Sequence, residues 1–203
     1  PAAFESETVS VTVGGETKTV DSDVANFRIE EQTISGEHIT PHVIEPSFGV
    51  DRTVYTLLAH AYHEDEVDGE TRSYLSLSPT VAPTDVGVFP LVSNVAELTD
   101  RAEALVDDLR ASGFSVVYDD SGSIGRRYRR QDEVGTPFCV TVDRDGLEGD
   151  GPDSVTIRER DTARQVRVPI DALVEELRAV ASGEQSFDDL VDEYDLVAPG
   201  ADA

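Results

Sequence analysis

The 203 residues carry 16 basic and 42 acidic side chains, a formal net charge of −26, far outside ordinary globular composition. Such a charge argues against bulk electrostatic attachment to DNA, RNA or an anionic membrane, and no apolar run is long enough for a transmembrane helix. Disorder is excluded by Val, Leu and Ile recurring at strand and helix spacings along the chain.

Lys18 is the one lysine beside 15 arginines, and Met and Trp are absent. Abundant Asp and Glu with almost no Lys suits a protein kept hydrated in molar salt, where charges are screened over only ~3 Å, so a salt-loving source is expected. The single cysteine, Cys139, lies in an apolar run and has no partner for a disulfide. A reducing, cytoplasmic setting is expected. The chain begins at Pro1, as would follow from loss of an initiator or from belonging to something longer.

Residues 8–20 alternate β-branched and polar residues around Gly14-Gly15, which predicts a hairpin with a two-residue turn. Residues 24–45 read as extended. From Asp51 to Tyr62 the apolar residues Val54, Leu57, Leu58 and Ala61 take helical spacing, and the acidic run 64–70 is expected to be the turn that ends the helix. A proline-containing connection over 73–84 follows.

Residues 85–184 read as a second domain: a strand over 86–92, a helix capped by Ser93 or Asn94, a strand over 114–118, a helix over 123–134 and a strand over 138–142. A hairpin (155–160 with 165–168) and a helix over 170–181 complete it. This order predicts an α/β fold, a mixed and mostly parallel sheet with flanking helices. The acidic tail 185–203 is expected to be loosely held.

The window 121–170 holds nine arginines and nine acids, so its net charge is zero and the rest of the chain carries the −26. An anionic ligand is one reason for this contrast. Ion pairs such as Arg129 with Glu133 at i,i+4 are the other. Within it, 121–133 (SGSIGRRYRRQDE) places a glycine turn ahead of a helix, with Arg126, Arg129 and Arg130 on one face and Tyr128 as a stacking ring. No G-x-x-x-x-G-K-[ST] occurs, which excludes a P-loop.

The second constellation is PHVIEPSFGVDR over 41–52. A carboxylate two residues from a hydroxyl can hold an ammonium group, and Arg52 at a helix start can meet a phosphate; solvated strand and surface charges remain the alternative. His60 and His63 stand at i,i+3 beside Glu64, but no third ligand is in place, and no tightly bound metal is expected.

The run 41–52 followed by an apolar helix resembles motif 3 of class II aminoacyl-tRNA synthetases, in the form of the α2-type glycyl-tRNA synthetases. The blocks 119–143 and 155–168 resemble the anticodon-binding domain of the same family, and SGSIGRRY points to the glycyl branch. The resemblance implies that residues 1–72 end a class II catalytic domain and that 85–184 form the anticodon-binding domain. It implies a glycine site of Glu45, Pro46, Ser47, Phe48 and Gly49, and an ATP side of Gly49, Val50, Asp51 and Arg52, with Arg52 catalytic. It further implies tRNA contacts at Arg126, Arg127, Tyr128, Arg129 and Arg130, ATP with Mg2+ as substrate, and a homodimer in the complete enzyme. Phe27-Arg28-Ile29-Glu30 matches the F-R-x-E string of motif 2. It stands only about fifteen residues before motif 3, too few for the motif 2 loop and its return strand. Motifs 1 and 2 are thus missing, and these residues alone are expected to be inactive. A non-enzymatic RNA-binding module built on the same domain is the alternative.

Overall fold

A computed structural model describes residues 8–21, 24, 31–33, 35–67, 69–148 and 153–197. The motif 2-like string Phe27 to Glu30 lies outside the described residues. Two compact units form, Pro1–Ser47 and Phe48–Ala203.

In the first unit, β1 (Thr8–Val13) and β2 (Glu16–Asp21) pair antiparallel from Thr8↔Asp21 to Val13↔Glu16. The expected hairpin turn is present. Gly14 and Gly15 both have positive φ (63° and 85°), the geometry of a type I′ turn, which side chains resist. Residues 31–33 and 35–47 belong to no helix or strand, so the extended reading of 24–45 yields no sheet among the described residues.

The second unit opens with α1 (Val50–Ala61), which runs directly into β3 (Tyr62–Val67) and then β4 (Glu70–Leu75). Here the expectation of an acidic turn over 64–70 is corrected: most of that run is strand. Its acids are tolerated because β3 pairs with β4 in a register that sets Asp65 opposite Arg72 and His63 opposite Tyr74, and such cross-strand pairs stabilise a hairpin. The His63 and Tyr74 rings stack at 5.4 Å.

The main sheet has the order β10-β9-β8-β7-β5-β6. It comprises β5 (Val86–Pro90), β6 (Val116–Tyr118), β7 (Phe138–Val142), β8 (Ser154–Glu159), β9 (Gln165–Pro169) and β10 (Leu196–Val197). The mixed sheet with flanking helices is the one expected. Its balance differs: β5 pairs parallel with β6 and β7, while β7-β8, β8-β9 and β9-β10 are antiparallel. The tail supplies the added antiparallel strand.

Side chains alternate across a strand, and one face of this sheet is apolar. Val86, Val88, Val140, Val142, Val155, Ile157, Val166 and Val168 meet α2 (Ala96–Ala111), α5 (Ile170–Ser182) and α6 (Phe187–Glu193) there; α3 (Ile124–Val134) and the short α4 (Arg144–Glu148) come between them in the chain. Leu98, Ala102, Leu105 and Leu109 recur at helical spacing and are buried, each leucine contributing roughly 2 kcal/mol by removal from water. The cap expected at Ser93 or Asn94 does not form: Val95 takes the N-cap position and no side chain caps the helix, because those residues lie in the turn before it.

The expectation of a loosely held tail is corrected over residues 186–197, while 198–203 lie outside the described residues. Ser186 and Asp189 close a capping box at the start of α6, and Phe187 and Leu190 are buried. Two apolar residues at i,i+3 suffice to anchor an otherwise acidic helix against the core.

Candidate nucleic-acid interface

The opposite face of the sheet is polar. Thr141, Thr156 and Arg158 alternate with the core valines and isoleucine of β7 and β8, and α3 (Ile124–Val134) lies against this face. Tyr128 is the anchor of α3. Its hydroxyl is 2.7 Å from Thr141 Oγ1 and donates to Gln165 Oε1 at 3.4 Å, and its ring meets Phe89 edge-on at 5.8 Å. The Arg158 guanidinium sits 4.7 Å above the ring. Burial pushes the phenol up to about 12, so Tyr128 is a packed, neutral residue with one side of its ring already occupied.

The arginine run divides into two functions. Arg127 is 1% exposed. It donates to the carbonyls of Asp120 (2.8 Å) and Gly122 (2.7 Å), and also to that of Pro90 at the end of β5. Arg130 donates to Asp119 at 2.6 and 2.9 Å and to the Ser121 carbonyl at 2.7 Å. The loop 119–123 therefore turns carbonyls toward two guanidiniums. Burial opposes ionisation of Asp119, but bonds from Ser121 and Arg130 outweigh it and hold the carboxyl below its ordinary range.

Arg126 and Arg129 are not drawn into that loop. Arg129 donates to the Thr71 carbonyl (2.8 Å) and pairs with Glu70 (3.4 Å) rather than with Glu133. Arg126 is exposed and makes no side-chain hydrogen bond or ion pair among the described residues. With Tyr128, Arg158, Gln165, Val67 and Glu70, these two arginines line an open cleft of about 400 Å³. Ser123, Ile124 and Gly125 at the start of α3 border it as well.

Below the cleft, Asp132 is closed off from solvent and receives both Arg158 nitrogens, at 2.8 and 3.0 Å, and Arg72 at 3.3 Å. Most of the arginines in the 121–170 window are thus committed within the fold. Arg160 pairs with Asp161, Arg164 with Asp188 and Arg167 with Asp143. Ion pairs, or carbonyls in the case of Arg127, engage the others, with Glu70, Asp119 and Asp188 reaching in from outside the window, and Arg126 and Arg144 are left exposed without such partners among the described residues.

A second concavity was not anticipated. Leu91, Val92, Asn94, Val95, Leu98, Arg144 and Asp145 enclose about 410 Å³ just beyond the carboxyl ends of β5 and β7. The chain leaves β5 for β6 on one side and returns to β7 on the other, a topological switch point, where open α/β sheets bind ligands.

Of the glycine and ATP residues, Glu45, Pro46 and Ser47 are exposed and outside regular structure in the first unit. In the second, Phe48 and Val50 are exposed, Gly49 takes the N-cap position of α1, and its carbonyl accepts from Thr53 N at 3.0 Å. Asp51 and Arg52 occupy the first helical turn, exposed. His60 lies in the last turn of α1, whereas His63 is in β3, so they do not share a helix face. Cys139 is buried, and burial pushes its thiol up to about 12, which leaves it unreactive. Among the described residues no group of three or more potential metal ligands assembles, and no helix is long and apolar enough to cross a membrane.

Residues 85–180 match the family described as the anticodon binding domain. The mixed sheet, its polar face and this match define the class: an anticodon-binding domain of the class II aminoacyl-tRNA synthetases. A glycine–tRNA ligase of Methanothrix thermoacetophila is 45% identical over 186 residues, 92% of this chain and 32% of the relative. One from Methanocaldococcus jannaschii is 45% identical over 170 residues, 84% and 28%, and one from Methanococcus maripaludis is 51% identical over 144, 71% and 24%. The chain spans between about a quarter and a third of the length of these relatives. It belongs to the archaeal-type glycine–tRNA ligase family, as its anticodon-binding, C-terminal region.

Proposed function

We propose that the whole protein attaches glycine to its tRNA at the expense of ATP, and that residues 85–184 read the anticodon for it. The observation that carries this reading is the 45% identity over 92% of the chain to a glycine–tRNA ligase. In the first step the glycine carboxylate attacks the α-phosphate of ATP, bound with Mg2+, and pyrophosphate leaves. In the second, a terminal tRNA hydroxyl attacks the adenylate carbonyl and AMP leaves.

In this reading residues 1–72 close the catalytic domain. Glu45 and Ser47 hold the ammonium group, while Pro46, Phe48 and Gly49 shape a pocket too small for larger side chains. Gly49, Val50 and Asp51 line the ATP side, and Arg52 stabilises charge on the terminal phosphate. The complete enzyme works as a homodimer.

The anticodon domain contacts tRNA through its polar face. Arg126 and Arg129 offer cationic donors to phosphate or base edges at the cleft, and Tyr128 and Arg158 form its floor. The second concavity offers apolar walls for a splayed base, with Asn94 to pair its edge and Arg144 to hold its phosphate. Arg127 and Arg130 serve this surface by shaping the loop 119–123.

The test is binding of residues 1–203 to glycine tRNA transcript, and to a transcript with a changed anticodon, followed by sedimentation in molar KCl. Preference for the glycine transcript is expected, and equal binding of both would reject an anticodon reader. In parallel, residues 1–203 are expected to show no glycine-dependent ATP–pyrophosphate exchange, and measurable exchange would reveal a complete active site.

A further inference from the structure

The β3-β4 hairpin is fixed to α3 and β8 by a charged cluster whose centre, Arg72 with Asp132 and Arg158, is closed to solvent, while Asp65 remains partly exposed. Arg72, 0% exposed, donates to Asp65 at 2.8 and 2.5 Å, to Asp132 at 3.3 Å and to the Arg160 and Asp161 carbonyls at 2.5 and 3.2 Å. Asp132 in turn holds Arg158 by both nitrogens. One carboxylate is thus shared by a guanidinium of the hairpin and a guanidinium in the wall of the cleft. Buried ion clusters contribute little net stability, because desolvation offsets their attraction; their best-attested use is to specify geometry.

What this cluster specifies follows from the chain path. α1 ends at Ala61, which is buried, and β3 begins at Tyr62 with no residue between. The position of the hairpin therefore sets the course of α1. At its other side, Arg158 borders the cleft above Tyr128; its side chain is only 5% exposed, so an anionic ligand would reach its guanidinium only by displacing Asp132.

We propose that Asp132 is a positioning residue that links occupancy of the cleft to α1 through Arg72 and the β3-β4 hairpin. When a nucleotide of the tRNA engages Arg158, Asp132 is released from sharing and binds Arg72 alone, which resets the hairpin. The linkage is reciprocal in binding, so the setting of α1 feeds back on affinity in the cleft. The inference rests on the reading of the cleft as a tRNA contact and of α1 as part of the catalytic domain.

The test compares charging of glycine tRNA and an anticodon-changed transcript by the full-length protein. In the wild type the changed anticodon is expected to raise KM and to lower kcat by about fivefold or more. In Arg72→Lys, which keeps the charge but cannot reach both carboxylates and both carbonyls, the kcat ratio between transcripts is expected to fall to near one while the KM ratio persists. A uniform drop in kcat for both transcripts would assign the cluster a purely structural role and overturn the proposal. So would a wild type that discriminates in KM alone. Should Arg72→Lys fail to fold, Asp65→Asn loosens the hairpin side of the same arginine; an unaltered kcat ratio in that variant overturns the link. Absence of charging by the wild type would instead reject the ligase reading, and the link with it.

Discussion

The guanidinium of Arg127 meets the carbonyl of Gly122 at 2.7 Å, and Gly122 sits in the left-handed region with a φ of 73°. A β-carbon there is strained by the backbone itself. The two residues form one device: the glycine turns the loop 119–123, and the arginine saturates its oxygens. Arg127→Ala would take this donor from the buried carbonyl of Pro90 and from the carbonyls of Asp120 and Gly122, and would leave a cavity where a side chain 1% exposed had been. We expect a loss of about 3 kcal/mol in urea unfolding. Arg126→Ala, two helix positions of similar chemistry notwithstanding, should cost less than about 0.5 kcal/mol, since its side chain is exposed and bonded to nothing described. Equal costs for the two variants would contradict this division.

That division marks the limit of what the chain discloses before folding. The strands at 86–90 and 138–142 and the helix at 96–111 announce themselves by apolar runs rich in valine and by helical spacing of leucine, and the helix at 124–134 by the glycine turn ahead of it and its run of arginines. The hairpin over 62–75 does not, because Glu64, Asp65 and Glu66 look like a solvated turn until Asp65 meets Arg72 across the ladder and Arg72 meets Asp132 sixty residues away. The arginine run was legible as a cationic feature. Which of its members face outward depends on the phase of α3 relative to the loop 119–123, a tertiary property. The concavity at Asn94 and Arg144 escaped for a different reason: neither residue lies in a motif, and only the strand order brings their loops together.

Electrostatic contact with RNA should show in its salt dependence. Each phosphate neutralised by an exposed arginine adds about 0.7 to 1 to the slope of log affinity against log salt. Arg126→Ala and Arg144→Ala should each lower that slope by about this amount and weaken all transcripts alike, as read by filter binding across a KCl series. Arg164→Ala, whose partner is Asp188 at 2.6 Å, should leave the slope unchanged. A slope insensitive to both exposed arginines would move the tRNA contact away from the cleft and the strand-end concavity.

The tail helix provides a test of the corrected C-terminal region. Leu190 is 0% exposed and packs in the main core with Phe187. Leu190→Ala should cost about 3 kcal/mol through lost transfer energy and the cavity left behind. Asp192→Ala on the exposed side of the same helix should change stability by less than about 0.5 kcal/mol. Thermal unfolding of the two variants decides whether α6 belongs to the cooperative unit; a neutral Leu190→Ala would mean that it does not.

Acid unfolding should report on Asp65. The two bonds from Arg72 hold its carboxyl below the ordinary range, although partial burial opposes them. A depressed folded-state value means that the unfolded chain binds the proton more readily. The stabilisation is therefore complete above the unfolded-state value near 3.9 and is lost as pH falls through the lower folded value. Asp65→Asn removes this dependence, so its stability should decline less steeply than that of the wild type below about pH 4, while lying beneath it at pH 7. Asp119, likewise held low by Ser121 and Arg130, keeps an acid limb in both proteins. Guanidinium titrations at pH 3, 4, 5 and 7 separate the cases: parallel curves for wild type and Asp65→Asn would show that the Arg72 contact leaves the carboxyl unshifted, and a convergence toward low pH is the expected result.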